Sequence, residues 1–112
     1  MAKVVITDSL SKRIYKTFKD DSQTVLELLA TLKNNPKKGK PVGQVSGIVI
    51  KEMKYKVHHF YCIMDGHQVK FFKEEELKDL LIKFVAMSDK NTPQKVIDEI
   101  KNILKKLGPE GF

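Results

Sequence analysis

Ile48 to Phe72 read IVIKEMKYKVHHFYCIMDGHQVKFF, and this stretch decides the fold. Ile48-Val49-Ile50 and then Val57 to Met64 are rich in β-branched and aromatic residues, whose side chains suit a pleated, half-buried surface. Asp65-Gly66 has the composition of a two-residue hairpin turn, which predicts a further strand over Gln68 to Phe72. The stretch reads as an antiparallel meander.

Upstream, Asn34-Asn35-Pro36 and Gly39-Lys40-Pro41 predict an exposed loop, because each proline disfavours helical geometry at the residue before it. Val25, Leu28, Leu29 and Leu32 form an apolar stripe before that loop. Leu10, Ile14 and Phe18 form another at four-residue spacing, with Lys12, Arg13, Lys16 and Lys19 filling the other side. Asp20-Asp21-Ser22 breaks and recaps the chain between the two stripes, so they predict a helical hairpin. Val4-Val5-Ile6 is a short strand ending at Thr7-Asp8-Ser9, whose side chains suit a helix cap.

Downstream, Lys73 to Asp79 is an acidic turn or loop, and Leu80 to Met87 is an apolar run read as a strand. Asn91-Thr92-Pro93 has the form of a cap followed by proline in the first helical turn. Val96, Ile97, Ile100, Ile103, Leu104 and Leu107 continue at helical spacing to Gly108-Pro109. The order predicts an α+β fold: an N-terminal strand and helical hairpin packed on an antiparallel β-sheet, with a C-terminal helix, in one domain over 1–112.

A chain of 112 residues with 41% hydrophobic and 31% charged residues is able to fold around one core. Cys62 is the only cysteine, which rules out an internal disulfide and a cysteine-rich zinc site and fits a reducing, cytoplasmic setting. No apolar run approaches membrane-spanning length, and the N-terminus reads straight into a strand, so neither a membrane partner nor export is expected. The net charge is +7. Residues 33–56 hold seven lysines (Lys33, Lys37, Lys38, Lys40, Lys51, Lys54 and Lys56) against the single acid Glu52. The rest of the chain carries 14 basic and 13 acidic residues. A polyanionic partner suits that concentration, provided folding leaves the lysines on a common surface. Arg13 is the sole arginine, so bidentate reading of guanine edges is not expected.

The order of elements, with the stretch from Leu28 to Gly66, resembles the RelE/ParE toxin superfamily and especially its phage-derived HigB-like branch. The residues that carry the resemblance are Leu29-Ala30-Thr31-Leu32, Asn35-Pro36-Lys37-Lys38-Gly39-Lys40-Pro41, Lys51-Glu52-Met53-Lys54 and Phe60-Tyr61-Cys62-Ile63-Met64-Asp65-Gly66. They look like the family's helix, its Pro-x-x-Gly loop, its strand ending in Glu-Leu-Arg, and its Tyr-Arg-x-x-Tyr strand. Phe84 to Pro93 is similar to the branch's segment before Thr-Pro. The sequence departs from the pattern in three places: the strand arginine falls at His58 or His59, the Glu-Leu-Arg arginine at Lys54, and the paired lysines before Thr-Pro at Met87 and Ser88.

The resemblance implies the toxin of a toxin–antitoxin system: a basic, RNA-binding endoribonuclease that cleaves mRNA on the ribosome without a cofactor or metal and is masked by a small antitoxin protein. The alternative is a non-catalytic RelE-like module that binds a protein or nucleic-acid partner; action on DNA gyrase, as in the ParE branch, is a third.

Cleavage by a 2′-hydroxyl needs a base, an acid and cations on the developing charge. Glu52, Lys54, His58 and Tyr61 are the catalytic candidates, and Lys37, Lys38, Lys40, Lys51, Lys56 and Lys90 the RNA-binding ones. Strand alternation is read as placing His58 with Lys54 and Lys56, and His59 with Tyr55 and Tyr61. Each candidate also has a plainer reading: Glu52 as a charge balance, the histidines as partly exposed strand residues, the tyrosines as packing. Cys62 reads as an inert buried thiol. His67 follows a turn away from the other histidines, which makes no metal pattern, and Gly39, Gly43 and Gly47 lack the context of a phosphate-binding loop.

Overall fold

Ser46 and Gly47 both hold positive φ, 50° and 83°. This is the type I′ geometry whose twist matches paired strands, and it turns β2 (Lys40–Val45) into β3 (Ile48–Tyr55). A second two-residue turn, Lys56-Val57, leads from β3 into β4 (His58–Asp65) and places Lys56 at a φ of 54°. The computed structural model describes residues 1–112. Around that meander lie β1 (Lys3–Ile6), α1 (Asp8–Phe18), α2 (Ser22–Ala30), α3 (Gly66–Phe71), β5 (Leu81–Ser88) and α4 (Pro93–Leu107).

The α+β class and the strand over 81–88 are as expected from the sequence. The sheet runs β1-β5-β4-β3-β2, antiparallel throughout except that β1 pairs with β5 in parallel, Lys3 opposite Leu81 and Ile6 opposite Phe84. Helices cover both faces. Leu10 and Ile14 of α1 and Val25 and Leu29 of α2 pack with Met53, Phe60, Cys62, Met64, Ile82, Phe84 and Met87 on one side. Ile97, Ile100 and Leu104 of α4 pack with Val45, Ile50, Tyr61, Ile63 and Val85 on the other. β4 is central, and its five residues Phe60 to Met64 are all buried by alternation between two cores.

Local chemistry explains the boundaries. Thr7 caps α1 by accepting from the Leu10 N–H at 3.3 Å. Buried Ser22 joins the two N-terminal helices by donating its hydroxyl to the Ile14 carbonyl at 3.3 Å. Pro41 lies inside β2 rather than in a loop. β2 is an edge strand with an irregularity between Pro41 and Gly43, where a missing ladder N–H is tolerated. The N-cap of α4 is Thr92 with Pro93 in the first turn, as expected, and the turn that leads into it is held by the Asp89 carboxylate, which accepts from the Asn91 N–H at 2.8 Å and the Thr92 N–H at 3.1 Å. Those bonds hold the Asp89 carboxyl below the usual carboxylate range.

The strand expected after β4 is not formed. Asp65-Gly66 makes no hairpin turn, and Gln68 to Phe72 form no strand. Asp65 instead accepts from the Gln68 N–H at 3.0 Å and caps α3. Aspartate before glycine satisfies a helix start as well as a turn, and β4 already has β3 and β5 on its two sides. The acidic segment that follows contains a 3₁₀ turn, Glu74–Glu76.

No helix is long and apolar enough to cross a membrane. Cys62 is fully buried, and burial pushes its thiol up to about 12. We expect no reaction with a disulfide reagent at about pH 8 until denaturant is added, because the unfolded thiol titrates near about 8.5. The folded chain keeps this proton where the unfolded chain loses it, so the group's contribution to stability declines as pH rises above that unfolded value. Rapid labelling of the native protein would contradict this burial.

Candidate functional site

Strand register builds two rows of side chains on the α4 face, near the end of the sheet where β3 turns into β4. Lys40, Glu52, Tyr61 and Ala86 stand opposite one another across four strands. Lys54, His59 and Ser88 form the next row. Of the catalytic candidates, Glu52, Lys54 and Tyr61 are therefore brought together, with Lys40 beside them.

His58 is not with them. The Lys56-Val57 turn reverses the chain, so alternation cannot be counted through it from Lys54 to His58; Tyr55 faces His58 and Lys54 faces His59. The His58 ring packs edge-on against Phe18 on the helical-hairpin face, centroids 4.9 Å apart. The histidine beside Glu52 and Lys54 is His59, which sequence reasoning assigned to the other side. The signal for it was the turn, but Lys56-Val57 lacks the Asn, Asp or Gly that marks most two-residue loops.

Glu52 and His59 are half-sheltered, with side chains 14% and 16% exposed, and His59 Nδ1 lies 3.1 Å from Glu52 Oε1. The two atoms are close without being aligned for a hydrogen bond, and Nδ1 is the sole buried side-chain nitrogen or oxygen in the protein that lacks one. Leaving such a group unpaired costs about 1–3 kcal/mol, and an exception of this kind calls for a reason. Nδ1 is sealed from solvent beside Glu52, so the exposed 16% of the side chain lies elsewhere on the ring.

Tyr61 is fully buried, so it braces the site and does not reach a ligand. Its hydroxyl lies 2.9 Å from that of Ser88, itself buried. Burial pushes the Tyr61 phenol above its ordinary range and the Glu52 carboxylate adds to the rise, while the bond to Ser88 opposes it. Tyr61 stays protonated beside Glu52.

The lysines divide. Lys51 is only 3% exposed, and its ammonium donates to the carbonyls of Lys37 at 2.9 Å and Lys38 at 3.4 Å. Burial lowers its pKa, partly offset by Cys62, with the Lys37 charge lowering it further. Lys51 is thus a tether for the loop, which corrects its assignment as an RNA contact. Lys37 and Lys38 are exposed on that loop. Lys40 and Lys54 are exposed on the α4 face, where the stem of Lys101 lies over Gly43 so closely that a Cβ there would come within 2.7 Å of it. Lys56 lies 3.7 Å from Asp21, and Lys90 is exposed beside Asp89. The lysines of residues 33–56 accordingly do not form one patch.

Met87 and Ser88 are each 1% exposed, and Arg13 donates to the Met87 carbonyl at 3.1 Å. No three histidine, cysteine, aspartate or glutamate side chains gather as metal ligands. The molecule belongs to the class of α+β domains with a five-stranded mixed sheet, and carries a carboxylate–imidazole pair flanked by lysines. Comparison with family models, curated proteins and solved structures finds no match.

Proposed function

We propose that the protein is a toxin-type endoribonuclease acting on mRNA at the ribosome, with Glu52, His59 and Lys54 as its working residues. The observation that supports this most is the convergence of a half-buried carboxylate–imidazole pair with two exposed lysines, Lys40 and Lys54, on one face of the sheet. In this reading His59 Nε2 takes the proton of the attacking 2′-hydroxyl while Glu52 holds the opposite side of the ring. The 2′-oxygen bonds to phosphorus, the P–O5′ bond breaks, and the departing 5′-oxygen takes a proton from Lys54 or solvent. The products are a 2′,3′-cyclic phosphate and a 5′-hydroxyl end. The two ammonium groups offset charge on the phosphoryl oxygens. A small antitoxin covering this face would silence it in the cytoplasm.

A second reading has its own support. The basic pair found in the resembling family falls here on Met87 and Ser88, both in the core, which favours a non-catalytic module that binds RNA or a protein partner. Primer extension on a reporter mRNA in a translating extract separates the two. New codon-phased 5′ ends in the presence of the protein are expected for the nuclease. Intact transcripts beside a folded protein that still binds RNA would leave the binding module standing.

A further inference from the structure

We propose that the rim of the β3–β4 hairpin is a stacking site for an unpaired base of single-stranded RNA, with Tyr55 taking the base and Lys56 the phosphate of the same nucleotide. The inference rests on the RNA-directed reading above and narrows its substrate to single strands.

Tyr55 and His58 face each other across the strand pair on either side of the two-residue turn. Both rings rest edge-to-face on Phe18, at centroid distances of 5.7 Å and 4.9 Å, and Phe18 is in turn backed by buried Phe60 at 5.9 Å. The platform is therefore anchored in the core, while Tyr55 and His58 each keep part of their surface open. Val57 beyond them is 50% exposed, so the rim stands clear of the helices.

Lys56 reports which surface of Tyr55 is reachable. Its ammonium sits 5.4 Å from the ring centroid, and its side chain is 66% exposed. A mobile surface cation already finds the electron-rich face of the ring, as an incoming base would. Asp21, 3.7 Å away and 57% exposed, is all that pairs with this lysine. An exposed pair of that kind holds weakly, so Lys56 is free to swing from ring to phosphate when a base arrives.

Successive residues of a strand point to opposite faces, so Tyr55 and His58 are separated from Lys54 and His59 by only the thickness of the strand pair. One flexible strand passing over the rim meets the stacking ring on one side and the Glu52–His59 pair on the other. A duplex is too stiff for that path and its bases are already stacked, whereas unpaired bases stack on aromatic side chains in most single-strand sites.

Fluorescence anisotropy with a short, unstructured, labelled oligoribonucleotide and its duplex, over a range of salt, tests the inference. The single strand is expected to bind more tightly than the duplex. Tyr55→Leu should weaken single-strand binding roughly ten- to a hundredfold without changing the salt slope, and Tyr55→Phe should retain it. Lys56→Gln should reduce the slope by about 0.7, one phosphate contact. Should Tyr55→Leu melt below the working temperature, the slope of Lys56→Gln, an exposed substitution, decides by itself. Unchanged affinity in Tyr55→Leu, an unchanged slope in Lys56→Gln, equal binding of duplex, or no binding by the parent chain overturns the stacking site. Stacking with intact transcripts removes cleavage alone, and transcript cleavage with Tyr55→Leu bound at parental affinity removes the rim alone.

Discussion

His59→Ala is expected to slow transcript cleavage by roughly 10²–10⁴-fold, the range spanned by a positioned acid–base group, while His58→Ala, on the stacking rim and away from Glu52, costs far less. The contrast follows from register. His59 stands opposite Lys54 and 3.1 Å from the Glu52 carboxylate, whereas His58 points to the other face and packs on Phe18. Glu52→Gln retains the shape of the carboxylate and removes its charge, so it should lower the rate through His59 without unfolding the sheet. Primer extension with matched amounts of folded protein measures all three. A rate that falls far with His58→Ala and survives His59→Ala would place the chemistry on the helical-hairpin face of the sheet and overturn the role of Glu52 and His59.

Phe60→Ala should remove about 3–5 kcal/mol of stability, a large share of the roughly 5–15 kcal/mol typical of a whole domain. Phe60 is fully exposed to neighbours and not at all to water: it lies on the central strand, opposite Met53 on β3 and Met87 on β5, with Phe18 of α1 across from it. These partners come from two strands and a helix, so no small shift of one element closes the cavity. Val57→Ala, a few residues away but half exposed at the turn, should change stability by less than about 0.5 kcal/mol. Urea unfolding of the two variants measures the difference. A Phe60→Ala loss below that of Val57→Ala would contradict the central placement of β4.

Much of the fold was legible because the patterns concerned were local. The stripe Leu10, Ile14 and Phe18 and the stripe Ile97, Ile100 and Leu104 each specify a helix face, and both faces are in contact with the sheet. The apolar run over 80–87 resolves into a strand because it alternates between two cores, a fact that exists only after α4 has covered the second face. Asp65-Gly66 was ambiguous in kind: the same carboxylate satisfies a turn or a helix start, and the rest of the sheet decided between them. At the site, residue types were legible and their partnership was not. Glu52, Lys54 and Tyr61 meet through cross-strand register, which depends on an inconspicuous Lys56-Val57 turn, and one misplaced reversal exchanges His58 for His59. Burial was equally hidden, since nothing in the order of residues shows that Lys51 turns inward to hold the Lys37 and Lys38 carbonyls.

The parallel pairing of β1 with β5 also bears on the order in which the chain assembles. Every other strand pair joins neighbours in sequence, whereas Lys3 must wait for Leu81, which lies most of the chain away. Closing so long a loop is entropically slow compared with folding a hairpin. On a translating ribosome the first strand is made early and seated late, so Val4, Val5 and Ile6 remain unpaired until β5 emerges. β1 is thus made before its partner and paired after it, beside a meander whose strands are neighbours in sequence.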